Sequence, residues 1–386
     1  MSWANVAAQL ADISPTLADV LQQGATDIPL TRLSLAGKPG ATCWGETNAP
    51  NSLSCSLTDA DVEALIIALQ VQGMIPVLEE LEIKAQSGVG DVAAAAIAKL
   101  LADPECNLEV LDLSGCEIGG SGASTLFSAL ALNTRVATLR LSWNPLGREG
   151  GLALAEMLKT NRVISTLSIC NTSLDTTAMV TLYSVIRDQP SLQFVDMQKA
   201  LLYSRQEDTT KHAAQMLQHN LNIVALNLGT SMVGDLGAEQ LSKVLRRNRT
   251  LRSLVLSSNQ IGITGGEALA SLLIEGSSLT ELDLSANRIG DDGGAAFGLA
   301  ISRNTTLRKL NLCSNSMGDV GLTAVAEGMM SNSTIVELRL WGNHFTDGGS
   351  AVNDFDKLCN GRFDHLDVVV DFKTYTVDDV IKIAYN

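Results

Sequence analysis

The chain has 386 residues, with 27 Lys and Arg against 42 Asp and Glu, a formal net charge of -15. An acidic chain of this kind lacks the basic face that neutralising nucleic-acid phosphates requires, so no nucleic acid is expected as partner. Charged residues make up 18% and aromatics 4%, which leaves a core built from Leu, Ile, Val and Ala in many small, similar layers.

Residues 1–29 read as N-terminal capping helices: Ser14-Pro15 has the form of an N-cap followed by a first-turn proline, and a helix is expected over 15–23. No basic start runs into an unbroken apolar stretch, and no run of about 18 apolar residues occurs, so neither secretion nor a membrane partner is expected. Seven cysteines, an odd number without C-x-x-C pairs or zinc-spaced histidines, point to reduced thiols in the cytoplasm and to no metal.

Residues 30–77 read as a degenerate first repeat with a loop insertion. LTRLSL begins at Leu30 and its counterpart LEELEI at Leu78, 48 residues later, and the excess lies in the Gly/Pro/Asn-rich stretch within 36–57. From 78 to 371 the period is about 28 residues. Leu108, Val136, Ile164 and Leu192 are each 28 apart, as are Ile223, Leu251, Leu279, Leu307, Ile335 and Phe363. Each opens L-x-x-L-x-L, as in LRSLVLSSN and LTELDLSAN, and the pattern closes on Asn144, Asn259, Asn287, Asn315 and Asn343.

The fourth and sixth residues of that pattern obey the alternation of a strand and point inward, while the second, third, fifth, seventh and eighth face out. An Asn side chain has donors and an acceptor for backbone groups left over where the chain leaves the sheet, so stacked repeats predict an asparagine ladder. A Gly recurs six residues further on, replaced once by Ala178, and opens a helical periodicity; close approach to the neighbouring repeat is its expected role.

The pattern is that of leucine-rich repeats. The chain resembles their ribonuclease-inhibitor-like class, which implies an α/β fold: a leucine-rich-repeat solenoid, or horseshoe, with parallel strands on the concave face and α-helices on the convex face. One continuous array of about twelve strands is expected. A second departure from period lies within 200–212, where the spacing is 31, Ala200 replaces Asn and Tyr203 falls in a lengthened turn. Residues 372–386 read as a C-terminal capping hairpin turning at Asp378-Asp379.

No G-x-S-x-G, H-E-x-x-H or G-x-x-x-x-G-K-[ST] occurs, so no enzyme, no cofactor and no small-molecule substrate are expected. What remains is surface. Arg140, Asp196, Asp283 and Arg339 belong to the outward central column of the strands, with Lys199, Arg252, Glu281 and Arg308 beside it and Tyr203 in the lengthened turn. Trp143, Phe194 and Trp341 face outward by register among these charges, where aromatics serve as interface anchors. The helices carry few charges, and their outer face is expected to be unusually neutral.

The asparagine turns, the spacing and the closing DFKTYTVDDVIKIAYN together resemble the leucine-rich-repeat-containing protein thirty-four group. That resemblance implies a non-catalytic scaffold, a structural subunit of a ciliary or flagellar axoneme whose partners are other subunits of a large cytoskeletal or axonemal complex. The alternative is a regulator resembling the GTPase-activating proteins of the Ran GTPase, although their strongly acidic tail is not found before Asn386.

Overall fold

The structure, a computed structural model, describes residues 2–24, 29–37, 53–200, 208–363 and 368–385. Its contacts divide it into two compact units, Met1–Tyr203 and Ser204–Asn386. The division falls at the lengthened turn, whose residues 201–207, Tyr203 included, lie outside the described residues.

The first unit runs α1 (Trp3–Leu10), α2 (Pro15–Gly24), β1 (Arg32–Ala36), β2 (Leu53–Ser54), α3 (Asp59–Val71), β3 (Glu80–Lys84), α4 (Asp91–Leu101), β4 (Val110–Asp112), α5 (Gly120–Leu130), β5 (Thr138–Arg140), α6 (Gly147–Thr160), β6 (Thr166–Ser168), α7 (Thr176–Ile186) and β7 (Phe194–Asp196). Its strands are parallel in the order β2-β1-β3-β4-β5-β6-β7. Leu53 and Ser54, expected in the loop insertion, instead pair with Leu35 and Ala36 as a short edge strand; residues 38–52 are outside the described residues.

The second unit runs α8 (Asp208–His219), β8 (Ala225–Asn227), α9 (Asp235–Leu245), β9 (Ser253–Val255), α10 (Ile263–Glu275), β10 (Glu281–Asp283), α11 (Gly290–Arg303), β11 (Lys309–Asn311), α12 (Asp319–Ser331), β12 (Glu337–Arg339), α13 (Ser350–Lys357), a π-helical turn (Leu358–Phe363), β13 (Val369–Val370), β14 (Phe372–Val377) and β15 (Val380–Tyr385). The order β8-β9-β10-β11-β12-β13 is parallel throughout, and β14 and β15 form a separate antiparallel hairpin. His212, expected in the lengthened turn, belongs to α8.

Leucine register builds both cores. Leu81, Leu111, Leu139, Leu167 and Val195 pair across the first sheet and Leu254, Leu282, Leu310 and Leu338 across the second, all 3% exposed or less. The asparagines do what their chemistry suggests: Asn287 donates to the carbonyls of Leu256 and Leu284, both at 2.9 Å, and accepts from the amide of Ile261 at 3.0 Å. Asn133, Asn161, Asn220, Asn248, Asn304 and Asn332 occupy a second set of positions where helices end. There Asn248 donates to Leu217 and accepts from the amides of Thr250 and Leu251.

The recurring glycine answers to an aspartate. Asp235 Oδ1 accepts the amides of Gly262 and Gly265, and a Cβ on Gly265 would lie 2.7 Å from that oxygen. Ala178 is tolerated because Arg148, not Asp, stands at the equivalent place in the repeat before it, and its helix is capped by its own Asp175.

The last repeat breaks the expected register. Phe363 lies in the π-helical turn rather than opening a strand, and Glu337 pairs with Val369, 32 residues on. Asp371 compensates: its Oδ1 accepts the amide of Leu340 at 2.9 Å and its Oδ2 that of Trp341 at 3.1 Å. In the preceding repeat the counterpart of Leu340, Leu312, gives its amide to the Arg339 carbonyl, and the counterpart of Trp341, Cys313, gives its amide to Asn311 Oδ1 at 3.1 Å. Phe345, Phe355 and Phe372 cluster against this end at ring separations of 5.1–6.2 Å.

Candidate protein-binding surfaces

The open face of the first sheet carries Arg140 and Trp143 on β5 and its turn, and Phe194, Asp196 and Lys199 on β7 and its turn, with β6 between them. Arg140 and Asp196 flank Ser168, each one strand away in register. Phe194 is 46% exposed and Trp143 37%. The Lys199 ammonium sits over the Trp143 ring at 5.9 Å from its centroid, a cation–π distance. Arg140 also reaches toward the buried Asp112 carboxylate at 3.9 Å.

The backbone at Trp143 is that of its counterparts, but its side chain is the largest among them. The residue before the ladder position is left-handed in the repeats: φ is 54° at Ala85, 72° at Gly115, 62° at Trp143, 52° at Asn171, 49° at Lys199, 52° at Thr230, 54° at Ser258, 55° at Ala286, 52° at Ser314 and 81° at Gly342. Gly and Asn suit that conformation, whereas the indole of Trp143 and the β-branched Thr230 are outliers there. Sequence reading placed Trp143 on the outside but could not see that it occupies a strained backbone position.

Two carboxyls on this face are held above the ordinary carboxylate range. Burial raises Asp112, against opposition from hydrogen bonds to Ser114 and from the Lys84 and Arg140 charges. Burial likewise raises Asp196, opposed by the Gln198 amide. Glu82 goes the other way: burial acts to raise it, but the Ser34 hydroxyl and the Lys84 and Arg32 cations outweigh burial and hold it low. This cluster, with Arg32 3.3 Å and Lys84 3.5 Å from Glu82, was not singled out from sequence, because Arg32 is 50 residues away along the chain.

On the second sheet, Glu281, Asp283 and Arg339 line a shallow cavity of about 170 Å³ together with Lys309, Asn311 and Glu337. Charges alternate across it: Glu281 pairs with Lys309 at 3.0 Å, Arg339 with Glu337 at 2.6 Å, and Asn311 donates to Asp283 at 3.1 Å. The cavity suits a side chain rather than a free ligand, whose pockets are typically about 300–1,000 Å³. Arg252 and Arg308 lie exposed at the strand entries outside that lining, Arg252 donating to the Ser278 carbonyl at 3.0 Å. Trp341, 37% exposed, meets Tyr385 of the hairpin with ring centroids 5.4 Å apart and the planes tilted by 56°, so part of the expected anchor is already covered by the chain itself.

Among the described residues no group of three or more His, Cys, Asp or Glu is arranged to hold a metal, and no helix is long and apolar enough to cross a membrane.

The family described as Leucine Rich repeat matches residues 106–127, 133–155, 247–270, 277–298 and 303–326. Human NACHT, LRR and PYD domains-containing protein 13 is 33% identical over 107 residues, covering 28% of this chain and 10% of that protein. Ribonuclease inhibitor of Sus scrofa is 28% identical over 166 residues, covering 43% of this chain and 35% of the inhibitor. The matched segments thus span 35% or less of these relatives' own lengths. Among solved structures, an internalin of Listeria monocytogenes is similar with a TM-score of 0.42 and 16% identity, over 88% of this chain and 93% of that one. Leiomodin-1 actin-binding site 2 is similar with a TM-score of 0.34 and 19% identity, over 47% of this chain and 92% of that one. At these scores the structural likeness decides nothing about function. The matched repeats and the parallel strand–helix units make this an α/β leucine-rich-repeat solenoid, an architecture that binds other proteins.

Proposed function

We propose that the chain is a non-catalytic scaffold that grips a protein partner on the open face of its first sheet, with Trp143 as anchor. The observation that carries this reading is a bulky indole kept in a left-handed backbone conformation while 37% exposed. Stability does not call for it, since Gly115, Ala286 and Gly342 fill the same place elsewhere, and strain retained at an exposed site is a mark of function. Arg140, Asp196 and Lys199 around it supply charge complementarity, and Phe194 a second apolar contact. On the second sheet, Glu281, Asp283 and Arg339 offer a side-chain socket to the same or another partner. The neighbourhood in which it acts is a ciliary or flagellar axoneme, a reading supported by the resemblance of the closing DFKTYTVDDVIKIAYN segment.

Trp143→Gly tests the anchor directly. Glycine relieves the left-handed strain, so thermal stability stays within about 1 kcal/mol of the parent, while loss of an anchor aromatic lowers partner affinity about thirtyfold. Co-purification of the partner at undiminished occupancy would show that this sheet is not the interface. Tagged protein absent from detergent-extracted axonemes of a ciliated cell removes the axonemal reading and leaves the scaffold.

A further inference from the structure

Helix α9 closes on Lys243, Arg246, Arg247 and, past Asn248, Arg249: four cations within seven residues of a chain whose net charge is -15. Beside them an open cleft of about 550 Å³ is lined by Gln218 and Leu221 from the end of α8 and by Lys243, Val244, Arg246 and Arg247. A cation at a helix C-terminus complements the helix dipole, and α4, α6 and α11 each carry one basic residue in the last turn for that purpose. The cluster at the end of α9 exceeds what the dipole explains. Arg246 is paired with Glu275 at 3.0 Å and Arg249 donates to the Gly276 carbonyl, but Lys243 and Arg247, both exposed, have no ion pair among the described residues.

The cleft is preformed. Asn248 ties its two walls together by donating to the carbonyls of Leu217 and Asn220. Asn220 in turn accepts the amides of Asn222 and Ile223, which fixes the turn that leaves Leu221 62% exposed at the rim of the cations. An exposed leucine held by a rigid turn, with half-buried Val244 in the same lining, is an apolar seat beside unpaired positive charge.

We propose that this cleft docks an acidic peptide segment of a second protein, its carboxylates on Lys243 and Arg247 and an apolar side chain against Leu221 and Val244. The guanidinium fork of Arg247 matches a carboxylate. A nucleic acid fits less well, because its uniform backbone charge would be repelled by the rest of this chain and would leave the leucine unused.

The test uses the whole chain and a fluorescein-labelled peptide of about twelve residues, aspartate and glutamate around one central leucine, read by fluorescence polarisation. Saturable binding that weakens with salt is expected, reduced at least about tenfold in Lys243→Glu/Arg247→Glu and about fivefold in Leu221→Ser, with unchanged circular dichroism. A peptide with serine for its leucine should lose affinity for the parent but nothing further in Leu221→Ser, the signature of a direct contact. Absence of saturation up to about 500 µM, or equal affinity in both variants, overturns the proposal. So does equally tight binding of single-stranded DNA of the same charge, which would assign the cleft to nucleic acid. Self-association lost in the charge-reversed variant would assign it to a second copy of this acidic chain.

Discussion

Residues 2–200 and 208–385 repeat one unit, yet they close its strand-to-helix turn differently. In the second unit the ladder position holds Ser231, Asn259, Asn287, Asn315 and Asn343, and the last four each donate to a carbonyl of the preceding repeat. In the first it holds Gln86, Cys116, Asn144, Thr172 and Ala200. Gln86 reaches the carbonyl of Cys55, and the Cys116 thiol that of Ile83, whereas the Thr172 hydroxyl bonds only as far as Ile169 in its own strand. The position therefore does not require one residue type: in the first unit Asn144 makes the same bonds as the later asparagines, Gln86 reaches further, Cys116 and Thr172 are weaker or shorter donors, and Ala200 supplies none.

Three substitutions bear on that contrast, in decreasing order of effect. The tightest inter-helix contact lies in the second unit, where a Cβ on Gly298 of α11 would stand 2.2 Å from the Ala324 carbonyl oxygen of α12. A backbone carbonyl cannot swing aside, so Gly298→Ala should cost about 3 kcal/mol in denaturant unfolding. Parent-like stability would mean that the two helices are not in such close contact.

Next comes the ladder. In Asn287→Ala the Leu256 and Leu284 carbonyls keep second donors in Asn259 and Asn315, but the Ile261 amide is orphaned, for a loss of about 2–3 kcal/mol. Thr172→Ala in the first unit removes one local bond and should cost about 1 kcal/mol. Equal losses would erase the distinction drawn between the units.

The smallest effects are pH-dependent and opposite in sign. Asp112 in the first unit is raised by burial, so its contribution to stability is present below the ordinary carboxylate range and is lost as pH rises through its folded value. Asp112→Asn should therefore gain on the parent as pH rises from about 4. Asp319 in the second unit is lowered, chiefly by the Ser350 hydroxyl at 2.6 Å, so its contribution is present above that range and is lost on acidification. Asp319→Asn should trail the parent at neutral pH and converge with it in acid. Thermal melts across pH 3 to about 8 read both slopes; parallel slopes would contradict the assignments.

The sheet residues could be read from sequence because a two-residue alternation repeated every 28 residues leaves one register that buries the leucines. Trp143, Phe194 and Arg140 were visible for the same reason. Lys84 and Arg32 beside Glu82 were not, since their meeting depends on β1 pairing directly with β3 across a 48-residue spacing. The second asparagine series was not read from the sequence, because its role depends on carbonyls one repeat away.

What the sequence by itself determined is the repeating unit: periodicity is local, and each copy states it again, so no single deviation can obscure it. The two-residue turn at Asp378-Asp379, where φ is 51° and 61°, was legible for a similarly local reason. Only the tertiary structure decided how the array ends. Val369 pairs with Glu337 at a spacing of 32 rather than 28, Asp371 supplies acceptors for the Leu340 and Trp341 amides, and Tyr385 covers part of Trp341. A terminal repeat has no neighbour to impose the register, so the choice falls to whichever distant side chains can satisfy its exposed amides and apolar rings.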